Sequence, residues 1–175
     1  MSTLNEGDGL TELRASRPDL LVSVGSPEIF KPPVLATAAF GAVNVHNGRL
    51  PRYRGVFGTF WEMYCGEEWG CATIHVMEPK VDAGAVLAQG VVRLADRSLH
   101  DALVEKKREG GRLLAWLTRV VEVEGRYPAP RPHDGGIEPG YFGWPTLGQI
   151  VGLRLRRLGR ARGRDGPAVT AWPPG

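Results

Sequence analysis

Residues Gly41-Ala42-Val43-Asn44-Val45-His46 run directly into Asn47-Gly48-Arg49-Leu50-Pro51-Arg52-Tyr53-Arg54-Gly55. The first six form an apolar run with no periodic polar face, the pattern of a strand buried on both sides. The next nine are dense in Gly, Pro and polar residues, which makes them a loop. Alternation along the strand puts Asn44 and His46 on one face at its carboxyl end. In layered α/β sheets ligands gather outside the carboxyl ends of the strands. The segment after His46 is therefore the candidate site, and an amide beside an imidazole can donate hydrogen bonds to a developing oxyanion.

Outward from this strand the chain alternates. Residues 19–24 (Asp19-Leu20-Leu21-Val22-Ser23-Val24) form a second short apolar run, closed by Gly25. Ser26-Pro27-Glu28 supplies an N-cap, a proline at the first helical position and an early acid, for a helix that Pro32 and Pro33 keep short. Residues 56–66 fit a helix with Phe57, Phe60, Trp61 and Tyr64 on one side. Residues 71–77 and 85–94 read as strands joined by the loop 78–84. Ser98 caps a long helical segment with Leu99, Leu103, Leu113, Leu114, Leu117, Val120 and Val121 on its apolar face. Gly110 and Gly111 weaken its middle by about 1 kcal/mol each relative to alanine. After Gly125 the chain turns rich in Pro and Gly to about residue 145, and a short helix and a disordered tail complete it. The order β–α–β–α–β–β–α predicts an α/β fold with a mainly parallel sheet and flanking helices. Residues 1–130 form the core, and residues 131–175 are a Pro/Gly-rich segment with a basic tail.

The composition is that of an ordinary globular protein, with 42% hydrophobic and 23% charged residues in 175, so a wholly disordered chain is excluded. No run of 18 apolar residues marks a membrane span. The polar, acidic start lacks the pattern of a secretory signal, and a cytoplasmic location is expected. Cys65 and Cys71 lack metal spacing and read as core thiols; no metal site is expected. The net charge of +3 is uneven, because residues 152–165 hold six arginines and one aspartate, +5, which leaves the first 151 residues at −2. The basic balance belongs to the tail, and nucleic acid is not expected as a partner.

Further along, Asp82 lies in the loop 78–84, and a carboxylate there can orient an imidazole or relay a proton. The segment Asn44 to Gly55 resembles the signature of the folate-dependent formyltransferases, the family of methionyl-tRNA formyltransferase, glycinamide ribonucleotide transformylase and the sugar N-formyltransferases. Ala72-Thr73-Ile74-His75 and Val81-Asp82-Ala83-Gly84 follow in the family's order, and Pro18 to Gly25 resembles the strand before its folate pocket. The resemblance covers residues 10–130 and implies a Rossmann-like formyltransferase fold. Asn44, His46 and Asp82 then match the catalytic trio, with Asn44 and His46 holding the oxyanion and Asp82 assisting proton transfer. Ser23, Val24, Gly25, Ile29 and Phe30, mostly through backbone, with Val81 and Gly84, would line the site for the donor, N10-formyltetrahydrofolate, with the loop 78–84 closing over the pterin.

The acceptor would be a small-molecule amine. Tyr141-Phe142-Gly143-Trp144-Pro145-Thr146 resembles a segment found after the core in some small stand-alone members and tilts this toward a sugar. His75 reads as structural, and Phe60 with Trp61 as core. Two departures stand out. The strands that normally precede residues 19–24 are missing, so the domain reads as N-terminally truncated, with an exposed edge that favours a homodimer. Asn47-Gly48-Arg49 also departs from the family's usual residues before Leu-Pro, which bears on the acceptor. Two other readings stand beside formyl transfer: a formyltetrahydrofolate deformylase, and an impaired fragment that binds folate or a partner chain.

Overall fold

In the computed structural model, residues 3–130 and 138–159 are described, with side chains to residue 156. The elements are α1 (Gly7–Ala15), β1 (Leu21–Val24), α2 (Pro32–Leu35), β2 (Ala42–His46), β3 (Arg54–Gly55), α3 (Gly58–Tyr64), β4 (Trp69–Val76), β5 (Val86–Arg93), α4 (Leu99–Glu124), β6 (Tyr141–Phe142) and α5 (Leu147–Gly159). Four strands form one sheet in the order β1-β2-β4-β5, and β3 pairs with β6.

The α/β class stands, but the sheet is mixed rather than mainly parallel. Only β1 and β2 run parallel; β4 runs antiparallel to both β2 and β5. The cause lies in the connections. α3 has seven residues and does not carry the chain back along the sheet, so β4 starts near the carboxyl end of β2, with His46 opposite Thr73 and Val43 opposite Val76. β4 and β5 follow each other with no helix between them, as hairpin strands do.

Register divides the sheet into two faces. Val43 and Val45 of β2, Ala72 and Ile74 of β4 and Ala88 of β5 pack on Leu113, Leu117 and Val121 of α4. The opposite face carries Asn44, His46, Thr73, His75 and Gln89, which the pairing sets side by side. Ser98 caps α4 by accepting from the Asp101 N–H at 3.0 Å, and Gly125 ends it in the left-handed region at φ 65°. The two glycines inside α4 are not equivalent. A Cβ at Gly110 would come within 2.7 Å of Val45 Cγ1, so this glycine lets the helix approach the sheet, whereas nothing lies within 4 Å of one at Gly111.

Several local expectations are corrected. No helix forms at Ser26-Pro27-Glu28; Ser26 Oγ accepts from the Glu28 N–H at 3.1 Å and makes a turn. Pro32 and Pro33 begin α2 instead of ending a helix, since proline is tolerated in a first turn. Phe57 takes a left-handed φ of 59° at the start of α3 and leans out onto Trp144, away from buried Phe60 and Trp61. Cys71 is buried, but Cys65 is exposed.

The segment beyond residue 130 is not merely appended. The Trp61 Nε1–H donates to the Gly143 carbonyl at 3.0 Å, and Leu153 of α5, 5% exposed, joins a second core cluster with Tyr53, Phe60, Trp61 and Leu94. Packing therefore crosses the boundary placed at residue 130. The expected tail disorder concerns residues 160–175, outside the described residues.

Candidate active site

β2 brings Asn44 and His46 to the open face. Asp82 arrives from the loop between β4 and β5, where a left-handed φ of 47° turns its carboxylate inward; Asp is among the residues that tolerate this conformation. Gly84 is needed for the same turn, because a Cβ there would run into the Val76 carbonyl. The three expected catalytic residues thus come together. His46 Nδ1 lies 3.5 Å from Asp82 Oδ2, and Asn44 Nδ2 lies 3.5 Å from Asp82 Oδ1.

His75, read from the sequence as structural, belongs to the same cluster. Its Nε2 is 3.3 Å from Asp82 Oδ1 and 3.2 Å from Asn44 Nδ2. Its Nδ1 lies 2.8 Å from the Val76 carbonyl, which can only accept and so fixes a proton on Nδ1. Alternation within β4 gives only the face of His75. The pairing of Asn44 with His75 brings it to the carboxylate, and no local signal carries that register.

His46 is held from the other side by the loop it precedes. Its Nε2 donates to the Tyr53 carbonyl at 2.6 Å, which leaves Nδ1 facing Asp82. Burial pushes the His46 pKa below the ordinary imidazole value, with the Asp82 carboxylate opposing. Burial works to raise the Asp82 pKa, but the His75 contact, the attraction of His46 in its protonated form and the Gly55 N–H at 2.8 Å outweigh it and hold the pKa below the usual value. The site therefore presents a neutral imidazole beside an ionised carboxylate. A proton taken up by Nδ1 would meet that carboxylate, while Nε2 keeps its own partner.

The loop 47–55 is a fitted part of the site. Its carbonyls accept from buried side chains: Gly48 from Thr73 Oγ1 at 2.7 Å and Leu50 from Gln89 Nε2 at 3.1 Å. The Tyr53 hydroxyl donates to Glu67 at 2.7 Å; burial, and then Glu67, push its pKa up, so it stays protonated.

Of the residues expected to line the donor site, Ser23 and Val81 adjoin this cluster, whereas Val24, in register with Val45, belongs to the opposite, α4-facing side of the sheet. Buried Ser23 pairs with Asn44 across β1 and β2. Val24 and Ile29 are exposed, Phe30 is half-buried, and Gly25 has φ 66° with open space around it. On the other side, Val81 is half-buried next to Asp82 and Gly84 is buried.

Residues 2–121 match the family described as Formyl transferase. The chain belongs to the formyltransferase family. Among its formyltransferase relatives, the methionyl-tRNA formyltransferase of Magnetococcus marinus is 32% identical over 136 residues, covering 75% of this chain and 43% of that protein. The methionyl-tRNA formyltransferase of Anaeromyxobacter dehalogenans is 30% identical over 178 residues, covering 97% of this chain and 54% of that protein. The chain thus spans about half the length of the curated relatives it matches. A sugar N-formyltransferase from a Shewanella species shares the formyltransferase fold, with a TM-score of 0.66 at 17% identity over 87% of this chain and 65% of that one. No helix among the described residues is long and apolar enough to cross a membrane.

Proposed function

We propose that the chain transfers a formyl group from N10-formyltetrahydrofolate to a small-molecule amine. The observation that carries this reading is the convergence of Asn44, His46 and Asp82 on one face of the sheet, within 3.5 Å contacts, inside the segment that matches the family. The donor, when bound, supplies the electrophilic formyl carbon. Ser23, Val24, Gly25, Ile29 and Phe30 on one side, mostly through their backbone, and Val81 and Gly84 on the other, would hold it. Asn44 would turn an amide N–H toward the formyl oxygen as charge develops there. The His46–Asp82 pair would receive the proton that the attacking amine loses: Nδ1 is the bare nitrogen, and Asp82 stands ready to hold an imidazolium. The Nε2–H of His46 is committed to Tyr53 and the Asn44 amide contacts His75 and Asp82, so each would exchange a partner to meet the oxyanion.

A sugar amine is the acceptor we favour. Trp144 is exposed and meets Phe57 edge to face at 4.7 Å, and β3 joins that aromatic segment to Gly55, whose N–H touches Asp82. The test offers the purified chain N10-formyltetrahydrofolate with amino sugars, with glycinamide ribonucleotide and with methionyl-tRNA, and follows release of tetrahydrofolate and N-formyl product. Formylated amino sugar supports the reading. Release of tetrahydrofolate and formate without any formylated amine would establish the deformylase instead. Absence of turnover and of folate binding would reject both.

A further inference from the structure

Glu62 and Lys106 are both fully enclosed, at 0% exposure, between α3 and α4, and the chemistry proposed above uses neither. Burial of an ion pair is a poor route to stability, because desolvation offsets the attraction and a well-packed apolar pair of similar volume is often as stable. Their hydrogen bonds point to another purpose. Glu62 Oε2 pairs with Lys106 Nζ. Glu62 Oε1 accepts from the Arg49 N–H at 2.8 Å and the Cys71 N–H at 3.2 Å, and Lys106 Nζ donates to the Asn47 carbonyl at 3.4 Å. The pair therefore grips the chain on both sides of Gly48, immediately after His46.

Gly48 is the point of contact with the imidazole. A Cβ there would lie 2.6 Å from His46 Nε2 and 2.8 Å from the Tyr53 carbonyl, so the Gly48 backbone sits against the ring edge that donates to Tyr53. Thr59 Oγ1 and Thr73 Oγ1 add donors to the Asn47 and Gly48 carbonyls at 3.0 and 2.7 Å. These carbonyl contacts hold the strand-proximal side of the turn, and Glu62 supplies the acceptor for its far side at Arg49.

We propose that Glu62, held in place by Lys106, is a positioning residue for His46: by accepting from the Arg49 N–H it fixes the Gly48 backbone that sets the orientation of the imidazole. The proposal rests on His46 being the working imidazole of formyl transfer. Neither residue touches a substrate. A displacement of a reacting group by about 1 Å can cost about 10²-fold in rate, so a small relaxation of this turn is enough to matter.

The test uses the full chain and two double variants. E62M/K106M fills the space without an acceptor. E62Q/K106M restores an acceptor oxygen for Arg49 and Cys71 without any charge. Imidazole ¹⁵N spectra report the His46 tautomer, and kinetics report kcat and the KM of the donor. The wild type should show His46 as one tautomer protonated on Nε2. E62M/K106M should melt cooperatively, lose about tenfold or more in kcat with donor KM little changed, and give an averaged His46 signal. E62Q/K106M should recover the single tautomer and most of the lost kcat. Both variants are also made with Gly111→Ala, whose site is open, to separate folding defects from displacement of the ring.

The proposal is overturned by a folded E62M/K106M with the wild-type His46 spectrum and kcat. A folded E62Q/K106M as disordered at His46 as E62M/K106M also overturns it. If E62M/K106M fails to fold on either background while E62Q/K106M folds, the acceptor oxygen holds the fold rather than the ring, and the proposal is again lost. A wild type without formyl transfer removes the functional reading, while the His46 spectrum still decides the positioning.

Discussion

His46 has each ring nitrogen facing a different partner, and its predicted behaviour follows from that. Nε2–H is spent on the Tyr53 carbonyl, and Nδ1 faces Asp82. On the proposed function, His46→Ala and Asp82→Ala each lower kcat by about 10²–10³, the usual scale for losing one preorganised group at a charge-developing centre. Steady-state kinetics on the folded variants checks this, and turnover within threefold of wild type would remove the assigned roles. The same residue gives a pH signature. Burial depresses the His46 pKa below the ordinary imidazole value of 6.5, so the unfolded chain takes up a proton that the folded chain resists. The stability contributed is therefore complete above pH 6.5 and is lost as the pH falls below it. Asp82, depressed from 3.8, acts with the same sign in a lower window. Melting temperature should fall from about pH 7.5 to 5.5, and the slope should flatten in His46→Ala. An unchanged slope in that variant would show that His46 does not set it.

At the scale of the elements, α4 offers a controlled comparison between adjacent glycines. Gly110→Ala forces a Cβ to within 2.7 Å of Val45 Cγ1 and should destabilise the fold. Gly111→Ala enters open space and should stabilise by up to about 1 kcal/mol, the difference in helix propensity. Urea unfolding of the two variants checks this, and equal effects would refute the claim that Gly110 serves close approach. The contrast also marks what the sequence could convey. Ser98 and Gly125 bracket α4 because caps are local signals. Asn44 and His46 were legible as a pair for a similar reason, since two residues of one strand need only alternation. His75 was not, because its role needs the register between β2 and β4. The antiparallel course of β4 was hidden by α3, since a short helix in sequence does not say which end of the sheet it leaves the chain at. Pro32 and Pro33 are compatible with starting a helix as well as ending one, and the competing turn at Ser26 decided between them. β3 and β6, two residues each, carry no periodicity from which a strand could be read.

At the scale of the whole molecule, the two faces of the sheet are covered unequally. α4 lies over β2, β4 and β5, and it stops short of β1. Val22 and Val24 pair in register with Val43 and Val45 and so extend the same apolar face, yet they are 40% and 63% exposed. β1 is also a terminal strand of the sheet, with one row of backbone donors and acceptors unpaired among the described residues. Strands in parallel pairing are ordinarily covered on both faces, and an apolar edge without a charge or proline is a template for another chain. The 175-residue chain should therefore self-associate through β1 in solution. Sedimentation velocity across a concentration series would show a dimer or larger species, and the double variant Val22→Lys, Val24→Lys should return it to monomer without loss of cooperative melting. The two lysines place charge on the uncovered face and leave the Val43 and Val45 contacts with α4 intact. A wild-type chain that stays monomeric at high micromolar concentration would overturn this account of β1, and a lysine variant that still associates would move the contact elsewhere on the molecule.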